Sequence, residues 1–177
     1  MVGLRLCQVN FMAKKDRNYI GILLIVAVGA AATYRGAKQV LKDDNEQIDV
    51  MARTAWGEAR GEGTTGMQAV LNVIMNRTKK GGWWGATPAE VCHKKSQFSC
   101  WNLNDPNRSR MLAVNESDDA FRTSKSLAKS AYAGTLPDIT GGATHYLNPA
   151  ALSAQPSWTR SLTKTAQIGN HVFMRRG

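Results

Sequence analysis

From Asn18 to Tyr34 the chain carries no charged side chain, and within that stretch Ile20 to Ala32 is apolar or glycine throughout. Lys14, Lys15 and Arg17 stand just ahead of it. A basic flank followed by an apolar run is the pattern of an export signal or membrane anchor. As a helix these 17 residues would span about 26 Å, slightly less than the roughly 30 Å hydrocarbon core of a bilayer. Gly21, Gly29 and the alanines make the segment only weakly hydrophobic, so three fates are open to it. It is cleaved at Ala30-Ala31-Ala32, it anchors permanently, or it inserts and later leaves the bilayer. A buried core helix of that length would not explain the basic flank.

This segment confines any globular body to the C-terminal side of Tyr34. The expected layout is a basic leader over 1–17, with Met12 as an alternative start, a membrane segment over 18–34, a connector over 35–44 and a folded domain over 45–177. A body of that size has room for one real core. All three fates place it outside the cytoplasm, where Cys92 and Cys100 could form a disulfide across the seven residues between them, with two free thiols as the alternative. The formal charge of +10 points to anionic partners, among which nucleic acid, a membrane surface and bacterial cell wall all qualify on charge alone.

Along the body, Ile48, Met51, Ala52 and Ala55 recur at helical spacing after a capping pattern of Asp44 with Gln47. That helix delivers Trp56 and Glu58 at its end, and Gly57, Gly61 and Gly63 are expected to break it. Thr65-Gly-Met-Gln68 looks like the cap of a second helix with Met67, Val70, Leu71 and Ile74 on one stripe. Thr87-Pro-Ala-Glu90 starts a short helix carrying Val91 and Cys92. Ser117 to Tyr132 predicts another, with Phe121, Leu127, Ala128, Ala131 and Tyr132 inward. Ala143 to Asn148, Lys164 to Ile168 and His171 to Met174 are strand candidates, and Gly169-Asn170 marks a two-residue hairpin. The fold class is therefore α+β, a mostly helical domain with a small antiparallel sheet.

The chemistry concentrates in Trp56-Gly-Glu-Ala-Arg-Gly-Glu-Gly63. A carboxyl group against an indole loses hydration, which favours its protonated form near neutral pH, and neighbouring glycines let a bulky ligand approach the main chain. Glu58 is thus a candidate proton donor. Glu62, four residues on, is the second acid candidate, with a salt bridge to Arg60 or a neighbouring helix as its alternative. The tip Gly81-Gly-Trp-Trp-Gly85 suits either sugar stacking or core packing. Gln97-Phe-Ser-Cys-Trp-Asn102 gathers amide, hydroxyl and aromatic groups suited to neutral polyols. Asn72 and Asn76 lie off the apolar stripe of their helix, on a face that is either solvated or turned toward Glu58.

Taken in order, Ala55 to Gly63, the helix ending at Asn76-Arg77, Val91-Cys92, Gln97 to Trp101, Gly142-Ala-Thr-His-Tyr146, Pro156-Ser-Trp158 and Ile168 to Phe173 resemble the catalytic domain of the cell wall hydrolase family typified by the spore cortex-lytic enzyme. The resemblance covers about residues 46 to 175. It implies a lysozyme-like fold that cleaves peptidoglycan between N-acetylmuramic acid and N-acetylglucosamine. It also implies that Glu58 is the catalytic acid of a lytic transglycosylase or muramidase. Trp56, Gln97, Phe98, Trp101, Asn102, Thr144 and Tyr146 become candidates for lining the sugar groove. No cofactor, metal or nucleic-acid partner is implied; the expected partners are peptidoglycan and, through the N-terminal segment, the inner membrane.

Where the spore enzymes have a peptidoglycan-binding repeat, this chain has the short uncharged segment and then, almost at once, the catalytic helix. That layout resembles signal-arrest-release endolysins of phages infecting Gram-negative bacteria, which implies an inner-membrane form, a periplasmic form and a role in host lysis. Two rivals remain at this level. A zinc amidase would need His93, His145 and His171 to converge, and a non-catalytic wall-binding protein would need no working carboxylate.

Overall fold

A computed structural model describes residues 39–40 and 43–177, and the chain divides into two units, Met1–Asp44 and Asn45–Gly177. The uncharged segment 18–34 lies outside the described residues. Among the described residues no helix is long and apolar enough to cross a membrane.

The second unit is α+β, as its periodicities predict. Helix α1 (residues 45–59) buries Met51, Ala52, Ala55, Trp56 and Ala59, a three-four repeat that leaves one continuous apolar face. Gly57 does not end it. The helix runs on through Glu58 to Ala59, and only then does a 3-10 turn at Arg60–Glu62 lead to Gly63, whose φ of +69° provides the left-handed break.

Helix α2 (Gly63–Lys80) is the central element. Met67, Val70, Leu71 and Ile74 face α1 and the later helix α5 in the main core, while Ala69 and Val73 face Ala143 and Phe173 in a smaller cluster under the sheet. Burial on two sides explains why the helix carries few solvent-facing positions in its middle. Thr65 is not its cap: the helix begins two residues earlier without a side-chain cap, and Gln68 donates instead to the Pro137 carbonyl. Asn72 is buried, Asn76 is half-buried, and neither bonds Glu58. Asn72 bonds Pro137 and Ile139, and Asn76 bonds Asp138 and the Ala143 carbonyl, so both tie α2 to the loop that leads into the sheet.

The first of the shorter helices follows its capping signal. Thr87 caps α3 (Pro88–His93) by accepting from the Glu90 N–H, with Pro88 in the first turn. Helix α4 (Arg108–Ala113) is fastened to α1 by Arg53, whose Nη1 donates to the Met111 carbonyl at 2.8 Å. Asp118 caps α5 (Asp119–Tyr132), which buries Phe121, Ala128 and Ala131 and reaches α1 through Ser124 Oγ donating to the Ala52 carbonyl. The three strands β1 (His145–Leu147), β2 (Thr163–Ile168) and β3 (His171–Arg175) form an antiparallel sheet in the order β1-β3-β2. Tyr146 stands opposite Phe173 in the register, and the β2–β3 hairpin turns at Gly169-Asn170.

That hairpin is held by Glu62. Its Oε2 accepts from the Asn170 backbone N–H at 3.0 Å and its Oε1 from Asn170 Nδ2 at 2.7 Å, and these two bonds hold its carboxyl below the usual range. A Cβ on Gly169 would lie 1.9 Å from Glu62 Oε2, at a φ of +55°. Gly134 supplies an internal control, with a φ of +73° and nothing within 4 Å of a would-be Cβ. Gly134→Ala should therefore cost only the backbone strain, about 1 kcal/mol. Gly169→Ala should cost that strain plus the displaced charged hydrogen bonds, about 2–4 kcal/mol in all. Urea denaturation of the two variants checks the difference, and equal losses would remove the clamp.

Candidate active site

Glu58 lies one residue before the end of α1 and is half-buried. Its Oε1 accepts from the Cys100 backbone N–H at 3.0 Å and from Ser99 Oγ at 3.2 Å, and its Oε2 accepts from the Tyr146 hydroxyl at 3.0 Å. No salt bridge among the described residues engages it. Three donors from two distant segments thus fix the orientation of one carboxylate. Burial, and next the Glu58 charge, raise the Tyr146 phenol well above its ordinary range, so it keeps the proton it donates.

Local packing explains why these groups meet. A Cβ on Gly57 would stand 2.8 Å from Cys100 Cβ and 3.2 Å from Met111 Sδ, so only glycine lets the 3-10 turn Ser99–Trp101 lie against α1. One helical turn before Glu58, Thr54 accepts from the Trp101 indole at 2.9 Å and donates to the Val50 carbonyl at 2.7 Å. Thr54 and Glu58, four apart on one face, grip the same turn. On the sheet side, Tyr146 is stacked on Phe173 at 5.6 Å and meets His171 edge-on at 5.3 Å.

Two cavities lie near this arrangement, and Glu58 itself lines neither of them. The first, about 610 Å³, is lined by Tyr146, Gln97, Trp83, Trp84, Trp158 and Arg77 among others. The second, about 550 Å³, is lined by Trp101, Asn102, His93 and neighbours, and Ser96 borders both. Glu58 is joined to the first through Tyr146 and to the turn bordering the second through Ser99 and Cys100.

The predicted groove residues therefore separate. Gln97, Trp101, Asn102 and Tyr146 line the cavities. Trp56 and Thr144 are core residues, exposed by 0% and 5%, while Phe98, 1% exposed, is buried in the core and also forms part of the wall of the second cavity. Positions two apart on a helix do not share a face, so Trp56 turns away from Glu58; its indole donates to Asp118 at 3.1 Å, with Arg60 over its ring at 4.3 Å. Phe98 receives the Arg77 guanidinium on its ring, and Thr144 pairs with β3 through its N–H to the Met174 carbonyl. Glu62 holds Asn170 and makes no salt bridge to Arg60, which bonds the Trp56 and Gly57 carbonyls and Asn107.

Sequence reasoning does not single out Ser99 or Trp158 as site residues and leaves Trp83 and Trp84 open between sugar stacking and core packing, whereas Ser99 bonds Glu58 and the three tryptophans line the first cavity. Ser99 sits inside the polar block that points to sugars, and the Trp83-Trp84 tip suits stacking and core packing alike. Trp83 is 62% exposed and Trp84 is half-buried against Arg77. The three histidines of the amidase reading are dispersed in separate aromatic contacts: His93 with Trp101, His145 between Trp84 and Trp158, and His171 with Tyr146. Among the described residues no group of three His, Cys, Asp or Glu side chains gathers at metal-binding spacing.

Residues 61–174 match the Cell Wall Hydrolase family model, a range that opens three residues after Glu58. The spore cortex-lytic enzyme of Bacillus cereus is 28% identical over 130 residues, covering 72% of this chain and 44% of its own length. That of Halalkalibacterium halodurans is 31% identical over 132 residues, covering 73% and 34%. This chain thus spans under half the length of these relatives. The crystal structure of the catalytic domain of the Bacillus cereus SleB protein superposes with a TM-score of 0.58 at 28% identity, over 74% of this chain and 91% of that domain. The catalytic domain of the germination-specific lytic transglycosylase SleB from Bacillus anthracis gives 0.56 at 27%, over 73% and 93%.

The cysteines depart from expectation. Cys92 and Cys100 are free, buried thiols and not a disulfide. Burial pushes the Cys92 thiol up to about 12 and raises Cys100 strongly, the latter with help from the Glu58 charge. Neutral, buried thiols react slowly. Both should stay unmodified by iodoacetamide in the native protein and both should be alkylated in denaturant without reductant. Intact and peptide mass measurements check this, and failure to alkylate either one unfolded would restore the disulfide.

Proposed function

The chain belongs to the cell wall hydrolase family, and we propose that it cleaves the glycan strand of peptidoglycan between N-acetylmuramic acid and N-acetylglucosamine, with Glu58 as its acid. The observation that carries this reading is one carboxylate, free of any ion pair among the described residues and held by Ser99, Cys100 and Tyr146, the last of which lines a cavity with aromatic walls. Aromatic faces stack on the apolar faces of sugars. Spore cortex-lytic relatives with a similar domain support the same substrate.

Hydrolysis by two carboxylates would need a second one about 5 to 9.5 Å from the first. The two carboxylates nearest in sequence or loop are otherwise engaged: Glu62 bonds Asn170 through both oxygens, and Asp105 Oδ1 accepts from the Asn107 N–H. This favours lytic transglycosylase chemistry. Protonated Glu58 delivers its proton to the bridging oxygen as the bond from C1 breaks, and the N-acetylglucosamine side leaves as an alcohol. The muramic acid 6-hydroxyl then bonds C1 and gives its proton to the Glu58 carboxylate. A 1,6-anhydro end forms, the acid is regenerated, and no water is consumed. Ser99 and Tyr146 are hydroxyls, able to rotate between donating to the carboxylate and accepting from the acid.

The basic flank and uncharged segment 18–34 support export of this domain to the periplasmic side of the inner membrane. Joined directly to a catalytic helix, they support a role as a phage endolysin that lyses its host. If the segment inserts and later escapes, fractionation of expressing cells will find the full-length chain in both the membrane and the soluble periplasmic fraction. A shortened protein beginning at Thr33 would mean cleavage instead.

For the chemistry, Glu58→Gln should fold normally and lose at least about 100-fold in glycan cleavage, while Glu62→Gln keeps measurable activity with reduced stability. Mass spectrometry of muropeptides released from purified sacculi should find anhydro ends. Reducing ends would indicate hydrolysis, freed stem peptides an amidase, and unchanged lysis by Glu58→Gln would discard the site.

A further inference from the structure

The cavity beside Tyr146 carries a charge pattern that a neutral sugar does not require. Arg77, Lys80 and Arg176 all line it, and no acidic side chain does. No salt bridge among the described residues engages any of the three.

Arg77 is the most constrained of them. It is 4% exposed, its Nε donates to the Thr144 carbonyl at 2.8 Å, and its guanidinium lies 4.4 Å from the Trp84 ring centre and 4.9 Å from that of Phe98. Its Nη1 is buried without a hydrogen-bond partner. Burial lowers Arg77 to about 10, which leaves it charged at neutral pH. A buried guanidinium with an unused donor is costly unless a negative charge offsets it, and among the described residues no hydrogen bond or salt bridge joins it to Glu58. His145, in the same wall, reports the field: it is lowered first by burial and then by Arg77, Arg176 and Lys80 together. Trp83 and Trp158, exposed by 62% and 43%, flank these charges with apolar surface.

An occupant that matches must be anionic, must reach a cavity next to the scissile bond, and must carry apolar surface for the indoles. The stem peptides attached to muramic acid meet all three conditions, because they leave the lactyl group close to the cleaved bond and bear free carboxylates between small apolar residues. Resting on the glycan-cleavage reading, we propose that the cavity of Arg77, Lys80 and Arg176 is a subsite for the acidic stem peptide, so that stem-bearing strands are bound in preference to bare glycan.

The test is equilibrium binding to the full-length Glu58→Gln chain, with soluble glycan strands from sacculi either carrying their stems or stripped of them by an amidase. Stem-bearing strands should bind about tenfold more tightly at low salt, a size consistent with two or three partly exposed charge pairs. The ratio should shrink toward one at high ionic strength, and also when Lys80→Gln and Arg176→Gln are combined in the same background. Equal affinity for the two strands, or a ratio untouched by the double substitution, overturns the subsite. The glycan-cleavage reading fails separately, if the wild-type chain releases no fragments from either strand in a turnover assay.

Discussion

The packing of the Ser99–Trp101 turn against α1 at Gly57 is the contact on which the candidate site depends. With Cys100 Cβ only 2.8 Å from where a Gly57 Cβ would stand, any side chain there would push the turn outward. Two of the three donors that hold Glu58 would move with it. The carboxylate is thus positioned by the absence of an atom one residue earlier in the chain. Thr54 strengthens the contact from the same helix face by accepting the Trp101 indole proton.

The third donor arrives by a longer route. Tyr146 belongs to β1, whose place is set by pairing with β3, and β3 is packed through Phe173 onto the second face of α2. Because α2 is buried on both sides, it transmits the position of the sheet to the helices. Asn72 and Asn76 reinforce this by bonding the loop before β1. Tertiary hydrogen bonds to carbonyls and turns, more than surface ion pairs, join the two halves, in keeping with the small net worth of exposed ion pairs.

Much of this was legible in the residues themselves. The helix carrying Glu58, the Thr87 cap and the Gly169-Asn170 hairpin each follow from local chemistry that acts within a few positions. What local pattern could not give was side-chain direction. Trp56 and Thr144 have the composition of a sugar groove yet belong to the core, because exposure is decided by which face a neighbouring segment covers. Gly57 suggested a helix end, since glycine lowers helix propensity, whereas its packing role depends on residues some forty positions away. Arg77 gave a quiet signal: it continues the buried spacing of Val70 and Ile74 along α2, a place where an arginine needs a tertiary reason to be. Glu62 offered no local hint of Asn170, more than a hundred residues later.

Glu58 and Glu62 lie on either side of a single sharp bend, and each is fastened to a different part of the sheet, one through Tyr146 and the other through Asn170. The bend therefore works like the rivet of a calliper with both jaws pinned. The spacing between the carboxylate and the strand bearing the phenol is set as the chain folds, and no substrate has to draw the jaws together. A site built this way stands at its working width before any ligand arrives, and it loses that width only when the two fastenings give way.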